Sequence, residues 1–294
     1  MQIKHLKYKQ IDFKKYDDCI QKAYNSRIYA FSWYLDIVAK KDWEILVLGD
    51  YEAVMPIPFY RVKKKFLKRL VTQPLFCQQL GVFSLTELKE DTHSLFIQNL
   101  EPLDIHNYSF NTENTSFLKE KKIALKKINL ELDLQKTAVD LEKNYSKNLK
   151  RNIKKGINNQ LKITKKIVVE DFMLMKKSNA THKIKKKQLN KIKTLITEIQ
   201  KREYGAFYGV KKENTLVAIV FILKFKNRLI HLFSVSNSVG KKTGAISFLF
   251  DSIIKKNANT NTLFDFEGSM IASIAKFFKS FGAVENIYLE INNV

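Results

Sequence analysis

The spacing of apolar and polar positions changes along this chain, and each change marks an element. Gln2 to Tyr8 reads as a short strand, whereas Tyr16 to Ala23 and Phe31 to Val38 put aromatics on one helical face, with Trp33 and Tyr34 read as core. Trp43 to Leu48 and Tyr51 to Ile57 are β-rich apolar runs around the polar turn Gly49-Asp50, a pattern that predicts a hairpin. Phe59 to Lys68 is basic. Leu70 to Val82, with Gln73-Pro74 and Gln78-Gln79-Leu80-Gly81, reads as strand, loop and strand. Glu87 to Asn99 predicts a helix, Asn107 to Asn114 a turn or strand, and Ile128 to Leu134 a strictly alternating strand that completes one α/β unit.

From Leu141 the pattern becomes cationic and helix-prone. The boundary is therefore expected between Asp133 and Val139, giving domains 1–138 and 139–294. In the second half Lys187 to Arg202 predicts a helix, and Gly205 to Val210, Leu216 to Phe225 and Leu229 to Val235 predict an antiparallel meander. Gly240 to Gly244 is a small-residue loop, followed by helix Ala245 to Lys256, strand Thr262 to Phe266, helix Ile271 to Ser280 and strand Ile287 to Ile291. The halves also echo each other, since Ile45 to Ile57 and Phe207 to Ile219 both read strand, polar turn, strand.

Composition narrows the classes. With 45% hydrophobic and 12% aromatic residues the chain can bury a core, and only 9 Gly and 4 Pro leave little room for a flexible linker. No apolar run approaches a membrane span and no signal-peptide core follows the basic start, so the cytoplasm is the expected location. Cys19 and Cys77 lie far apart and the five histidines are scattered, so neither a disulfide framework nor a metal site is expected. The net charge of +23 arises from lysines spread along the whole chain, which makes local concentration the only informative charge signal. Lys143 to Lys193 is such a concentration, with seventeen Lys or Arg against Glu170 and Asp171.

Four segments together resemble the FemAB-like branch of the GNAT acyltransferase superfamily, over roughly Tyr145 to Tyr288. They are Asn148-Leu149-Lys150-Arg151-Asn152-Ile153-Lys154-Lys155-Gly156; Ser234 through Gly244-Ala245 into a helix; Phe264-Asp265-Phe266-Glu267-Gly268-Ser269; and Phe277-Phe278-Lys279-Ser280-Phe281-Gly282-Ala283. Phe31-Ser32-Trp33-Tyr34-Leu35 and Gln73 to Gly81 resemble family segments in the first half. The resemblance implies an α/β (α+β) protein of two tandem GNAT-like modules, each a twisted mixed sheet flanked by helices. The first would be a degenerate copy that shapes the acceptor cleft and the second would bind the donor. It also implies direct transfer of an acyl or aminoacyl group to an amine, in cell-envelope metabolism for the relatives that build peptidoglycan bridges. Those relatives commonly carry Phe-Lys-x-x-Phe-Gly near the end; here Phe278 stands at the lysine position and Lys279 one residue later, a departure at the bridge-forming signature.

The candidate residues follow. Ser234, Val235 and Ser236 would offer backbone donors to the acyl carbonyl. Gly240, Lys241, Lys242, Gly244 and Ala245, a glycine loop opening a helix, would hold donor phosphates, or alternatively form an ordinary glycine turn. Lys147, Lys150, Arg151 and Lys154 share one helical face, a second phosphate surface or simply a solvated one. Asp265, Glu267 and Lys279 are the candidate catalytic residues: Glu267 would take the amine proton or orient the acceptor, or alternatively both acids would cap the helix starting near Ile271 or pair with Lys276 or Lys279, a role that suits Asp265 better. His231 reads as a structural histidine.

No tightly bound cofactor is expected. Acyl-CoA, acyl carrier protein and aminoacyl-tRNA are the donors in question, so the expected partners are a phosphate-bearing donor, an amine acceptor and, through the donor, tRNA. The rival reading is a non-catalytic protein of the same fold whose basic surface binds RNA or an anionic envelope polymer. The Lys143 to Lys193 stretch has only Tyr145 and Phe172 for base stacking, which weakens that reading for single-stranded RNA.

Overall fold

A computed structural model of the chain describes residues 2–61, 68–118, 124–179, 184–268 and 270–292. It divides into two compact units, Met1–Lys127 with Ile287–Val294, and Ile128–Asn286. Parts of three expected features, residues 62–67 of the basic stretch Phe59 to Lys68, residues 180–183 of the cationic stretch Lys143 to Lys193 and Ser269 of the third family segment, lie outside the described residues. No described helix is long and apolar enough to cross a membrane.

In the first unit β1 (Ile3–Leu6), β2 (Trp43–Leu48), β3 (Ala53–Arg61) and β4 (Arg69–Thr72) pair antiparallel in that order. The short β5 (Phe83–Ser84) also pairs with β3, and β4 then pairs in parallel with β6 (Ile105–Ser109). Helices α1 (Phe13–Lys22) and α2 (Ser32–Val38) fall between β1 and β2, and α3 (Glu90–Leu100) precedes β6. Asp12 caps α1 by accepting the N–H groups of Lys14 and Lys15, and Tyr16, Cys19 and Ile20 recur at helical spacing to bury one face. All six residues of β2 are buried, which accounts for its apolar run from Ile45 to Leu48, since a strand covered on both faces need not alternate; the buried Glu44 pairs with Arg69 and His5.

The chain then runs through β7 (Ala124–Asp133), α4 (Ala138–Lys143) and α5 (Lys147–Asn158). Next come β8 (Lys162–Thr164), α6 (Val169–Ser178), α7 (Lys186–Lys201), β9 (Gly205–Lys212), β10 (Thr215–Phe225) and β11 (Arg228–Ser236). The last elements are α8 (Ser238–Thr243), α9 (Ala245–Asn257), β12 (Leu263–Asp265), α10 (Ala272–Lys279) and β13 (Val284–Ile291). In the second unit β8, β9, β10 and β11 pair antiparallel in order, β11 pairs in parallel with β12, and β12 pairs antiparallel with β7. The first unit has the same order and polarity, because β6 pairs antiparallel with β13. The chain is thus the expected α/β protein with a repeated mixed sheet flanked by helices, and the hairpins β2–β3 and β9–β10 that echo in sequence hold the same two positions.

The division differs from that expected at residue 138. The pattern break at Leu141 marks the start of a helical stretch, whereas the division falls inside β7, whose later residues pair with β12. The closing strands are exchanged along the sequence: β7 follows the strands of the first unit yet completes the second sheet, and β13 follows those of the second yet completes the first. Hydrophobic periodicity reports a strand but not its sheet. Two elements carry no clear pattern at all. β8 is three largely exposed residues, and α6 buries only Phe172.

Candidate functional site

Strand β11 is longer than the strand beside it. β12 pairs with it only from Arg228 to Ile230 and ends at Asp265, so the edge of β11 from His231 to Ser236 is left without a strand partner on that side. The ladder with β10 is interrupted at the same place: Phe221 faces Phe233 and Ile222 faces His231, which leaves Leu232 as an extra residue, a β-bulge. Beyond the bulge the Asn237 N–H donates to the Val217 carbonyl at 3.1 Å. Antiparallel alternation then turns Val235 toward Ile219 and aims the backbone N–H groups of Ser234 and Ser236 at the open edge. The Ser236 hydroxyl is occupied, donating to the Val217 carbonyl at 3.2 Å.

The segment expected as a glycine loop is the helix α8. The Asn237 side chain caps it by accepting the Gly240 N–H at 2.9 Å, and Gly244, at φ 72°, makes the left-handed joint into α9. Both glycines are explained by protein packing. A Cβ on Gly240 would collide with the Val217 carbonyl, and one on Gly244 with the Asn152 carbonyl of α5. The expectation that they give a ligand room is thereby corrected: the close approach is by the chain itself. Ala245 is fully buried, while Lys241 and Lys242 stand exposed on α8.

The approach at Gly244 sets α5 against α8 and α9. Ser146 caps α5 by accepting the Leu149 N–H, Leu149 and Ile153 are buried, and Gly156 lies against the Phe248 ring. Lys147, Lys150, Arg151 and Lys154 consequently face solvent. Arg151 donates to the Asn148 side chain at 2.7 Å and Lys150 reaches the Lys143 carbonyl at 3.4 Å, but among the described residues these four and Lys241 and Lys242 have no acidic partner. Two basic groups distant in sequence thus sit on adjoining elements.

Asp265 closes β12 and is buried. Arg228 Nη1 lies 3.0 Å from its carboxylate and 2.7 Å from that of Glu131, which also accepts from Asn129 and Asn286, each at 2.9 Å. Burial pushes the Asp265 carboxyl above its ordinary range, and the Arg228 charge pulls it partly back. Asp265 therefore neither caps α10, which begins after Ile271, nor pairs with Lys276 or Lys279. Lys279 forms its ion pair with Glu285 instead. Glu267 is half-buried at φ 58°, a left-handed backbone that side chains rarely adopt, and its N–H donates to Asp265 Oδ1 at 2.9 Å. Asp265 thus positions Glu267 just past the point where β12 leaves β11.

His231 stands where β12 ends, against Phe250 at 4.9 Å and Phe278 at 5.6 Å. Both ring nitrogens are sealed from solvent, near the Phe266 backbone but with no neighbour in hydrogen-bond geometry among the described residues. Burial pushes its pKa down to about 4, an effect the Phe266 backbone partly offsets and the charge of Lys176 reinforces. Around Phe250 the rings of Phe264, Phe266 and Phe281 pack within 6 Å and complete the aromatic wall behind this strand. Of the residues singled out in the sequence, Ser234 to Ser236 lie on the open edge and Glu267 just past the end of β12, whereas the burial of His231 beside that edge was not expected. The bulge at Leu232 has no sequence signal.

No protein-family model matches the chain and no curated protein matches it in sequence. Solved structures do match. FemX has a TM-score of 0.68 at 9% identity, with 98% of this chain and 97% of that one covered. The C-terminal domain of a lysylphosphatidylglycerol synthetase from Agrobacterium fabrum follows at 0.56 and 11%, covering 96% and 92%. L-PGS from Bacillus licheniformis also gives 0.56, at 10% identity, covering 95% and 91%. At such identities the likeness is one of fold, and it extends over nearly the whole of each of those chains: this chain has the same fold as FemX.

Proposed function

We propose that this protein is an N-acyltransferase whose second unit binds a phosphate-bearing acyl or aminoacyl donor and whose first unit is a copy without a donor site. The observation that carries this reading is the open edge of β11, where two backbone N–H groups face a gap bordered by Glu267. The donor carbonyl lies along that edge and the donor phosphates reach the basic surface of α5 and α8. The acceptor nitrogen attacks the carbonyl carbon, and the Ser234 and Ser236 N–H groups stabilise the oxyanion as it forms. Glu267 removes the amine proton, directly or through one water, and the thiol or ribose hydroxyl of the donor leaves with a proton as the new amide forms. Direct transfer of this kind needs no nucleophile from the protein.

The shared fold with FemX and with a domain of a lysylphosphatidylglycerol synthetase supports a transferase and leaves the acceptor open. The test is a thermal-shift screen with acyl-CoA thioesters, acyl carrier protein and charged tRNA, followed by turnover with the stabilising donor. Glu267→Gln is expected to abolish turnover with little change in melting, and Asp265→Asn to lower stability as well, by about 1–3 kcal/mol, because it weakens the buried pair with Arg228. Stabilisation by uncharged RNA but by no donor would favour a binding protein.

A further inference from the structure

Two half-buried lysines of this chain are paired with acids. Lys127 meets Glu290 at 3.0 Å, and Lys255 meets Glu142 at 2.8 Å and Asp251 at 3.1 Å. Lys176 on α6 differs. It is half-buried, has no acidic group within ion-pair distance among the described residues, and burial alone holds its pKa below the usual lysine range. Its ammonium lies 5.7 Å from the centre of the Phe172 ring, one turn earlier on the same helix. That ring in turn lies 6.1 Å from Phe233, the residue that follows the bulge and immediately precedes Ser234. The charge of Lys176 also reaches His231 on the near side of the bulge.

An unpaired cation removed from water is costly to folding, and the neighbouring Lys177 shows that an exposed position on the same helix carries positive charge without that cost. The position of Lys176, against the strand whose edge is open, calls for an occupant of opposite sign. We infer that Lys176 recognises the acceptor: its ammonium pairs with an anionic group, a carboxylate or a phosphate, carried by the amine that is acylated at the edge of β11. The inference rests on the transferase reading and narrows it, since it excludes simple neutral amines as preferred acceptors. Lys176 is a specificity residue and takes no part in bond making.

The experiment uses the full chain and product-like probes that carry no free amine: N-acetylglycine, N-acetylethanolamine phosphate and, as the neutral control, N-acetylethanolamine. Trace acetic anhydride labels lysines at fixed pH and ionic strength, and mass spectrometry compares Lys176 with the exposed Lys177 beside it. One or both anionic probes should reduce labelling of Lys176 several-fold relative to Lys177 while the neutral probe does not. The stronger protector assigns carboxylate or phosphate. The stabilisation by that probe should persist in Lys176→Arg and vanish in Lys176→Gln. Equal labelling ratios with all three probes, or undiminished stabilisation of a folded Lys176→Gln, would overturn the inference. Neither readout involves a donor, so a failure of donor binding tells separately against the transferase reading.

Discussion

The two units share strand order and polarity, yet the place where β4 meets β6 is closed and the place where β11 meets β12 is open. In the first unit the chain continues past β4 as a plug. The Gln73 N–H donates to the Asn107 carbonyl at 2.9 Å, the Leu80 N–H donates to the Ser109 carbonyl at 2.8 Å, and the Gln73 and Gln79 side chains accept the N–H groups of Ser109 and Thr112. Nothing equivalent borders β11, which runs straight into α8 and α9. The helix starts differ as well. α3 opens with Glu90 and Asp91, which repel an anion, whereas the first turn of α9 has no acid and lies beside Lys241 and Lys242. One strand order thus leaves an open edge in one unit and a closed one in the other, and the difference lies in a few residues after the fourth strand.

The joint between α8 and α9 is the feature of the open unit most sensitive to change. Gly244→Val puts a β-branched residue at φ 72° against the Asn152 carbonyl, and a loss of about 4 kcal/mol in urea denaturation is expected, at the upper end for single substitutions. Donor binding would then fail because the second unit unfolds. A folded variant with unchanged stability would mean that α5 can retreat from the joint.

Acid should separate the units next. The unfolded chain protonates His231 with an ordinary pKa of about 6.5, whereas the native ring resists protonation down to about 4. Between those values the unfolded state binds more protons, so stability falls as pH falls through the window, by up to about 3 kcal/mol. His231→Phe, which fits among Phe250 and Phe278, should flatten that part of the stability profile. Identical slopes in the two proteins would mean that the native ring takes up its proton as freely as the unfolded chain does.

Much of this architecture was legible because strands and amphipathic helices announce themselves by period. The meander from Gly205 to Ser236, the helix behind it and the hairpin at Gly49 fall where apolar spacing puts them. The exchange of β7 and β13 was not legible, since pairing depends on contacts far apart in sequence. Nor was the role of the two glycines: sequence spacing suggests room for a ligand, but only packing reveals that Val217 and Asn152 fill it. Asp265 was misassigned for a related reason, because its partner Arg228 lies on a neighbouring strand whereas Lys276 and Lys279 are merely near in sequence.

The same substitution should have opposite consequences at equivalent edges. Ser234→Pro removes an N–H that faces the gap, so it should leave the ladder with β10 intact and lower turnover about a hundredfold, the scale of one lost oxyanion donor. Leu80→Pro removes an N–H already bonded to Ser109 at a fully buried residue, so it should cost about 3 kcal/mol or more of stability and leave turnover per folded molecule unchanged. Stopped assays paired with denaturation curves read both. Retained turnover in Ser234→Pro would move the acyl site away from β11.

The smallest effect expected is electrostatic and tests whether the proposed donor meets α9 and not α3. Lys241 and Lys242 are exposed, with no acidic partner among the described residues, and they stand on the helix that leads into α9. Replacing both by Ala removes two charges near the donor phosphates, each worth about 0.3–1 kcal/mol at low ionic strength, so affinity should drop several-fold. The loss should shrink as salt rises, because exposed charges are screened over about 8 Å at 0.15 M. Lys89→Ala, which removes the cation next to the acidic first turn of α3, should leave affinity unchanged at every salt concentration. Calorimetric titration at low and high salt compares the variants with the parent. A double variant that binds donor as tightly as the parent at low salt would leave α5, through Lys147, Lys150, Arg151 and Lys154, as the surface that meets the phosphates.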